Sequence, residues 1–304
     1  MSQENPGILP GQLTRARIYL IAASLLWSTS GFFTRLLQST KSEGELETIH
    51  PTQMACFRAL FAALGMTVWL RRGDFTFRPP MVPTVMSFAA MNILFVTALA
   101  LGSAANAILL QYTALIWFIV FSIYFLKEKP DTKAIQALAP GLLGIVIMVA
   151  GGWNAGEGPI IAIALGSGLA YAGVIIGIRH MRDVAPPWIT FCNHLVAGLI
   201  LVPFIWQWPM PSSKQLLILF VWGVFQMGVP YLLAAKSLKV ISPQEAGILT
   251  LLEPVFNPIW AYLIAPEREV PTLSTIVGGV FLLSALLWRF WPFGKKANGD
   301  LSAR

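Results

Sequence analysis

Four ionisable residues stand inside long apolar runs of this 304-residue chain: Glu253, Arg58, His194 and Lys236. On insertion scales an ionisable side chain at the bilayer centre costs about 2.5–3.5 kcal/mol, so each asks for a reason. Glu253 lies about eleven residues from either end of its run, too deep for its short side chain to reach an interface at a rise of about 1.5 Å per residue. Glu245, Leu249, Glu253, Asn257 and Trp260 follow steps of four, four, four and three, which puts the polar members on one helix face. Pro254 and Pro258 lack backbone N–H groups and deprive the carbonyls of Thr250 and Pro254 of their helical donors. A bent helix with an acid and spare carbonyls suits binding of an amine or a proton. The alternative is a glutamate kept protonated and hydrogen-bonded for packing.

Arg58 stands nearer one end of its run. Its long stem could carry the guanidinium to the interface or into a structural pair, or the charge could bind an anion or Glu253. His194, beside Asn193, could relay protons because imidazole titrates near neutral pH; packing is the alternative. Lys236 fits an orienting charge at a helix end. Among neutral residues, Trp27, Ser30, Gly31 and Thr34 share one helical face, and Asn106, Thr113 and Trp117 share another. Tyr171, Gln226 and Tyr231 could add polar contacts. Aromatic, hydroxyl and amide linings suit small amphipathic ligands, although each residue alone also fits interhelical packing. Gly166, Ala170, Gly173 and Gly177 fit close helix contact.

The elements that must position these residues follow from composition. Hydrophobic residues make up 56% of the chain and charged ones 12%, with a mean hydropathy of +0.68; soluble proteins carry about 25% charged residues. The fold class expected is all-α integral membrane. Ten runs are long enough to cross the bilayer: 17–38, 51–71, 80–101, 103–127, 133–152, 158–180, 185–206, 213–236, 242–265 and 271–291. The first is too long for a signal-peptide core. Cys56 and Cys192 read as small buried hydrophobes. The net charge of +7 comes without basic clusters, so nucleic acid is not an expected partner; the bilayer and a small-molecule substrate are.

Cations alternate across the joints between runs. Arg15, Arg17, Arg71, Arg72, Arg78, Lys127, Lys129, Lys133, Arg179, Arg182, Lys236, Lys239, Arg289, Lys295, Lys296 and Arg304 fall on one side, and only Arg35, Lys41, Lys214 and Arg268 on the other. Both termini are expected in the cytoplasm, with tails over 1–16 and 292–304. The chain also repeats itself weakly, 17–152 on 158–291. Ser103–Ala107 and Glu128 match Ser242–Ala246 and Glu267 at an offset of 139, Trp27 and Arg35 match Tyr171 and Arg179 at 144, and Cys56 and Arg58 match Cys192 and His194 at 136. Five helices per copy invert the second relative to the first, an architecture suited to alternating access around a central site.

These features resemble the EamA-type members of the drug/metabolite transporter superfamily. The resemblance rests on Leu25-Leu26-Trp27-Ser28, Phe57-Arg58-Ala59-Leu60, Ser103 to Ala107, Lys127-Glu128-Lys129-Pro130 and Leu252-Glu253-Pro254-Val255-Phe256. It implies export or exchange of small metabolites such as amino acids across the plasma membrane, the inner membrane in a Gram-negative cell. The cavity would be lined by helices one to four and six to nine, with five and ten peripheral. Where many members have a proline in the fourth helix this chain has Thr113-Ala114-Leu115, so the halves are expected to be unequally kinked.

The lead reading is a secondary transporter, with protons as a candidate coupling ion, working as a monomer or homodimer without a cofactor. A phosphate-binding Gly-x-x-x-x-Gly-Lys-Ser/Thr loop is absent. The rivals are a non-transporting receptor or scaffold and, less favoured, a membrane-embedded enzyme. The latter lacks His-Glu-x-x-His and Gly-x-Ser-x-Gly, and the only histidines, His50, His180 and His194, are scattered.

Overall fold

The computed structural model describes residues 10–40, 49–125, 132–181, 183–237, 240–241, 246 and 249–290, which form helices and no strand. Glu245, Lys127, Glu128, Lys129, Arg182, Lys239 and both distal tails lie outside the described residues.

Thirteen α-helices follow one another among the described residues: α1 (Pro10–Trp27), α2 (Ser30–Ser39), α3 (Pro51–Met66), α4 (Met81–Leu101), α5 (Ala104–Gln111), α6 (Ala114–Phe125), α7 (Thr132–Asn154), α8 (Gly158–His180), α9 (Pro186–Ile205), α10 (Ser213–Val221), α11 (Val229–Ser237), α12 (Leu252–Ile264) and α13 (Leu273–Phe290). A π-helical stretch, Trp222–Gly228, joins α10 to α11. Local chemistry sets several starts. His50 Nδ1 accepts from Thr52 N at 3.2 Å while Gln53 Oε1 accepts from His50 N, a capping box ahead of Pro51. Ser103 caps α5 and Ser212 caps α10, each side-chain oxygen accepting from the backbone N–H three residues on, and only the second closes a capping box, with Gln215.

Seven helical stretches are long and apolar enough to cross a membrane: Gly11–Ser39, Met81–Leu101, Ala104–Phe121, Ile135–Asn154, Gly158–Ile178, Pro186–Ile205 and Ser213–Ala234. The Leu273–Arg289 helix is apolar but shorter. α3 has 16 residues and α12 has 13.

Small residues set the packing. A Cβ on Gly177 would lie 1.9 Å from Thr84 Oγ1, and one on Gly173 would lie 2.7 Å from Ser87 Oγ, so the expected small-residue face of α8 closes on α4. Gly144 and Gly278 bring α7 and α13 together, each added Cβ falling 2.5 Å from the other's carbonyl oxygen. Leu142, Val146, Ile276 and Val280 of that pair are exposed. Aliphatic exposure of this kind is what lipid, rather than water, accommodates.

Among the described residues four of the long runs are interrupted, one of them at Leu251 ahead of α12. Ser28 and Thr29 turn their hydroxyls back to the Leu25 and Leu26 carbonyls between α1 and α2. Thr113 Oγ1 donates to Leu110 O between α5 and α6, where Gly168 leaves room for the displaced backbone. The third interruption is the π stretch. The break at Tyr112–Thr113 interrupts the fourth run without a proline. At the repeat offset of 139, Tyr112 falls on Leu251, the turn residue preceding α12.

Candidate functional site

The broken segments converge on Glu253. This residue occupies the first turn of α12 and is half-buried. Tyr112, at the α5–α6 break, brings its hydroxyl 3.0 Å from Glu253 Oε2 and 2.9 Å from the Thr250 carbonyl. That carbonyl is one of the two that the prolines deprive of a helical donor, so a tyrosine from the other half takes the place the backbone lost. Tyr171 of α8 and Tyr231 of α11 stand close enough to interact with the Glu253 charge. Trp27, the last residue of α1, meets Tyr231 edge-on with ring centroids 5.3 Å apart. One tryptophan and three tyrosines thus gather at the carboxyl as an aromatic wall, Tyr112 through its hydrogen bond and Trp27 through Tyr231. Such a wall attracts cations through ring faces and accepts apolar stems through ring bodies.

The next layer holds the walls. Gln226 of the π stretch donates from Nε2 to the Trp27 carbonyl at 2.8 Å, linking it to the α1 terminus. A π turn re-aims side chains that a regular helix would stack elsewhere. His194 Nδ1 lies 2.8 Å from Thr190 O. A carbonyl only accepts, so Nδ1 carries the proton and Nε2 is an acceptor in the neutral ring. Nε2 is buried without a partner, and the ring packs 4.6 Å from Phe88 and edge-on to Tyr231 at 5.7 Å.

Arg58 is 1% exposed, which excludes snorkelling. Its Nη2 donates to Asn92 Oδ1, Asn92 Nδ2 donates to Ala55 O at 3.0 Å, and the guanidinium lies 4.8 Å over the Trp222 ring. Among the described residues Nε and Nη1 have no hydrogen-bond partner, and no ion pair joins Arg58 to Glu253.

Other expected site residues serve the frame. Asn257 Nδ2 donates to Ser30 Oγ at 2.6 Å in a fully buried contact that Gly31 makes possible, and Trp260 Nε1 donates to Ser28 Oγ at 2.9 Å. Asn106 accepts from Thr275 Oγ1 at 2.8 Å, tying α5 to α13. Thr113 is spent on its own helix. Trp117 is 37% exposed, and among the described contacts no hydrogen bond or ring contact joins it to the Glu253 cluster. Lys236 is exposed at the end of α11, as an orienting charge would be. Tyr112, Asn92 and Trp222 were not anticipated. The one available signal for Tyr112 was the polar triplet Gln111-Tyr112-Thr113 inside an apolar run.

The model of the EamA-like transporter family matches residues 14–150 and again 158–291. The chain belongs to the EamA-like transporter family. This EamA protein is thereby a multi-pass membrane protein and a transporter of the drug/metabolite superfamily. It is 30% identical over 217 residues to an uncharacterized transporter of Archaeoglobus fulgidus, covering 68% of this chain and 76% of the relative. It is 21% identical to the uncharacterized transporter YxxF of Bacillus subtilis, covering 97% and 96%. A solved crystal structure superposes on this EamA protein with a TM-score of 0.63 over 91% of this chain and 97% of its own. At 14% identity that likeness shows the fold alone.

Proposed function

We propose that this protein is a secondary transporter that exports or exchanges small amine-bearing metabolites such as amino acids by alternating access, with Glu253 receiving the amine or a coupling proton. The supporting arrangement is ten spans in two inverted five-helix repeats, over 17–152 and 158–291, with both termini in the cytoplasm and the bundle in the plasma membrane. The two separate family matches and the sixteen-to-four cation bias support it.

The observation that carries the reading is the Glu253 carboxyl gathered with Tyr112, Tyr171, Tyr231 and Trp27, which we take to wall a substrate chamber. Trp27 and Tyr112 come from the first half of the chain, and Tyr171, Tyr231 and Glu253 from the second, so relative motion of the halves would remake the site. An ammonium group meets a carboxylate and ring faces there, and an apolar side chain meets ring bodies. Proton and substrate would compete for one carboxyl, which is enough to couple their movements. Arg58, beyond Tyr231, offers two donors to an anionic group; His194 Nε2 offers an acceptor to a proton.

The test is the metabolite profile of the medium around cells producing wild type, Glu253→Gln at equal membrane level, or empty vector. Amine-bearing metabolites are expected to accumulate outside with wild type alone. Identical profiles, together with no uptake of the same compounds into proteoliposomes, would contradict the reading.

A further inference from the structure

Arg35 is one of the four cations on the cation-poor side of the chain, and Glu269 lies in the loop between α12 and α13. In the structure both are 2% exposed and form an ion pair, Arg35 Nε and Nη2 against Glu269 Oε1. Every remaining polar position of the pair is used. Arg35 Nη2 donates to Gly102 O at 2.5 Å and Nη1 to Gln38 Oε1 at 2.6 Å. Glu269 Oε2 accepts from Ala104 N at 2.8 Å, at the start of α5, where the helix dipole favours a carboxylate. Gln38 Nε2 donates in turn to Ala100 O at 2.8 Å.

Position gives the pair its meaning. Glu269 follows the end of α12, and Glu253 begins that helix; eleven residues separate Glu253 from Ile264, about 16 Å along the axis. Arg35 stands two turns beyond the α1–α2 break that presents Trp27 to the chamber. Arg35 and Glu269 therefore meet at one end of the bundle, beyond the chamber, and join α2 and the α4–α5 turn of the first half to the α12–α13 loop of the second. At the same end Gln215 Nε2 donates to Thr40 O at 3.2 Å, Gln53 Nε2 donates to Pro209 O at 2.8 Å and the His50 and Trp208 rings stack 3.7 Å apart, further contacts between the halves. Cation bias assigns this end to the outside.

We propose that the Arg35–Glu269 pair is the outer gate: formed, it closes the path from Glu253 to the extracytoplasmic side, and it parts when that side opens. The halves cannot separate at this end while the pair stands, and a buried pair has two well-defined states because a partly separated one leaves both charges uncompensated. Its purpose rests on the transporter reading; its existence does not depend on which substrate is carried.

The test uses Tyr171→Cys as a chamber reporter in a chain with Cys56 and Cys192 replaced by alanine, labelled from outside in right-side-out vesicles with a membrane-impermeant maleimide. Labelling is expected to rise about tenfold or more in Glu269→Gln and by less in Glu269→Asp, since the closed form alone loses its compensation. The aspartate keeps the charge and serves where the glutamine variant fails to fold. Equal rates across the gate variants would overturn the gate.

A second arm joins Gln38→Cys to Arg268→Cys, neighbouring positions outside the pair, with a thiol-cleavable bifunctional thiosulfonate in the same alanine background. Flux is expected to stop on bridging and return on cleavage; flux that survives complete bridging would overturn the gate. Labelling that responds in a protein that moves no metabolite would instead overturn the transporter reading and leave the gate standing.

Discussion

Arg35 and Arg58 are almost equally buried, at 2% and 1%, in neighbouring spans of the same half. Their surroundings differ. Arg35 has a carboxylate, two backbone carbonyls and a glutamine oxygen within reach, so its charge is neutralised within the fold. Among the described residues Arg58 has one asparagine oxygen and a tryptophan face, with two nitrogens that find no hydrogen-bond partner. A guanidinium held in apolar surroundings without an acid is not explained by stability, because an apolar residue of similar shape would cost less. The two sites teach that burial alone does not separate structural from functional charges. What separates them is whether the fold supplies the counter-charge.

The largest effect expected from this contrast is in stability. Glu269→Gln leaves Arg35 buried without its acid and is expected to lower unfolding stability by about 3–5 kcal/mol, read as a drop in thermal midpoint in detergent. Arg58→Met removes a charge that has no acid to lose; its midpoint should stay near wild type or rise, while flux falls. A loss as large as that of Glu269→Gln would break the contrast and make Arg58 structural. Tyr112→Phe removes the hydroxyl that reaches Glu253 and Thr250, worth about 1 kcal/mol, and should reduce flux several-fold with little change in midpoint. The smallest effect belongs to the pair Arg78–Asp183, whose side chains are 52% and 56% exposed. Arg78→Ala should cost less than about 1 kcal/mol and leave flux unchanged, which would sharpen the claim that the buried pair, not ion pairing in general, controls the transporter.

Some span limits were legible because hydropathy reports directly on lipid as solvent, whereas α1 begins at Pro10 inside the expected tail 1–16 and α3 ends at Met66, short of the expected 71. The runs 80–101, 158–180 and 185–206 correspond to α4, α8 and α9 within a residue. Interruptions were less legible, since those at Ser28–Thr29 and Tyr112–Thr113 depend on hydroxyls folding back and, for the second, on Gly168 from the other half. That has a consequence for the site. The face shared by Asn106, Thr113 and Trp117 assumes one continuous helix, and the break at 112–113 changes the register between its members, which is why they do not line one surface. Glu253 was legible because a lone acid between prolines in an apolar run has few roles. The burial of Arg35 was not legible for the opposite reason: its partner lies 234 residues away, and nothing local distinguishes a solvated helix-end cation from a buried one.

The central claim is that the Glu253 carboxyl carries the transport step. It is tested most directly by counterflow in proteoliposomes preloaded with the metabolite that the export profile identifies, comparing wild type, Glu253→Asp and Glu253→Gln at matched protein content. The account predicts rapid exchange for wild type, reduced exchange for the aspartate and none above protein-free liposomes for a folded glutamine variant. Wild-type exchange by Glu253→Gln would contradict it.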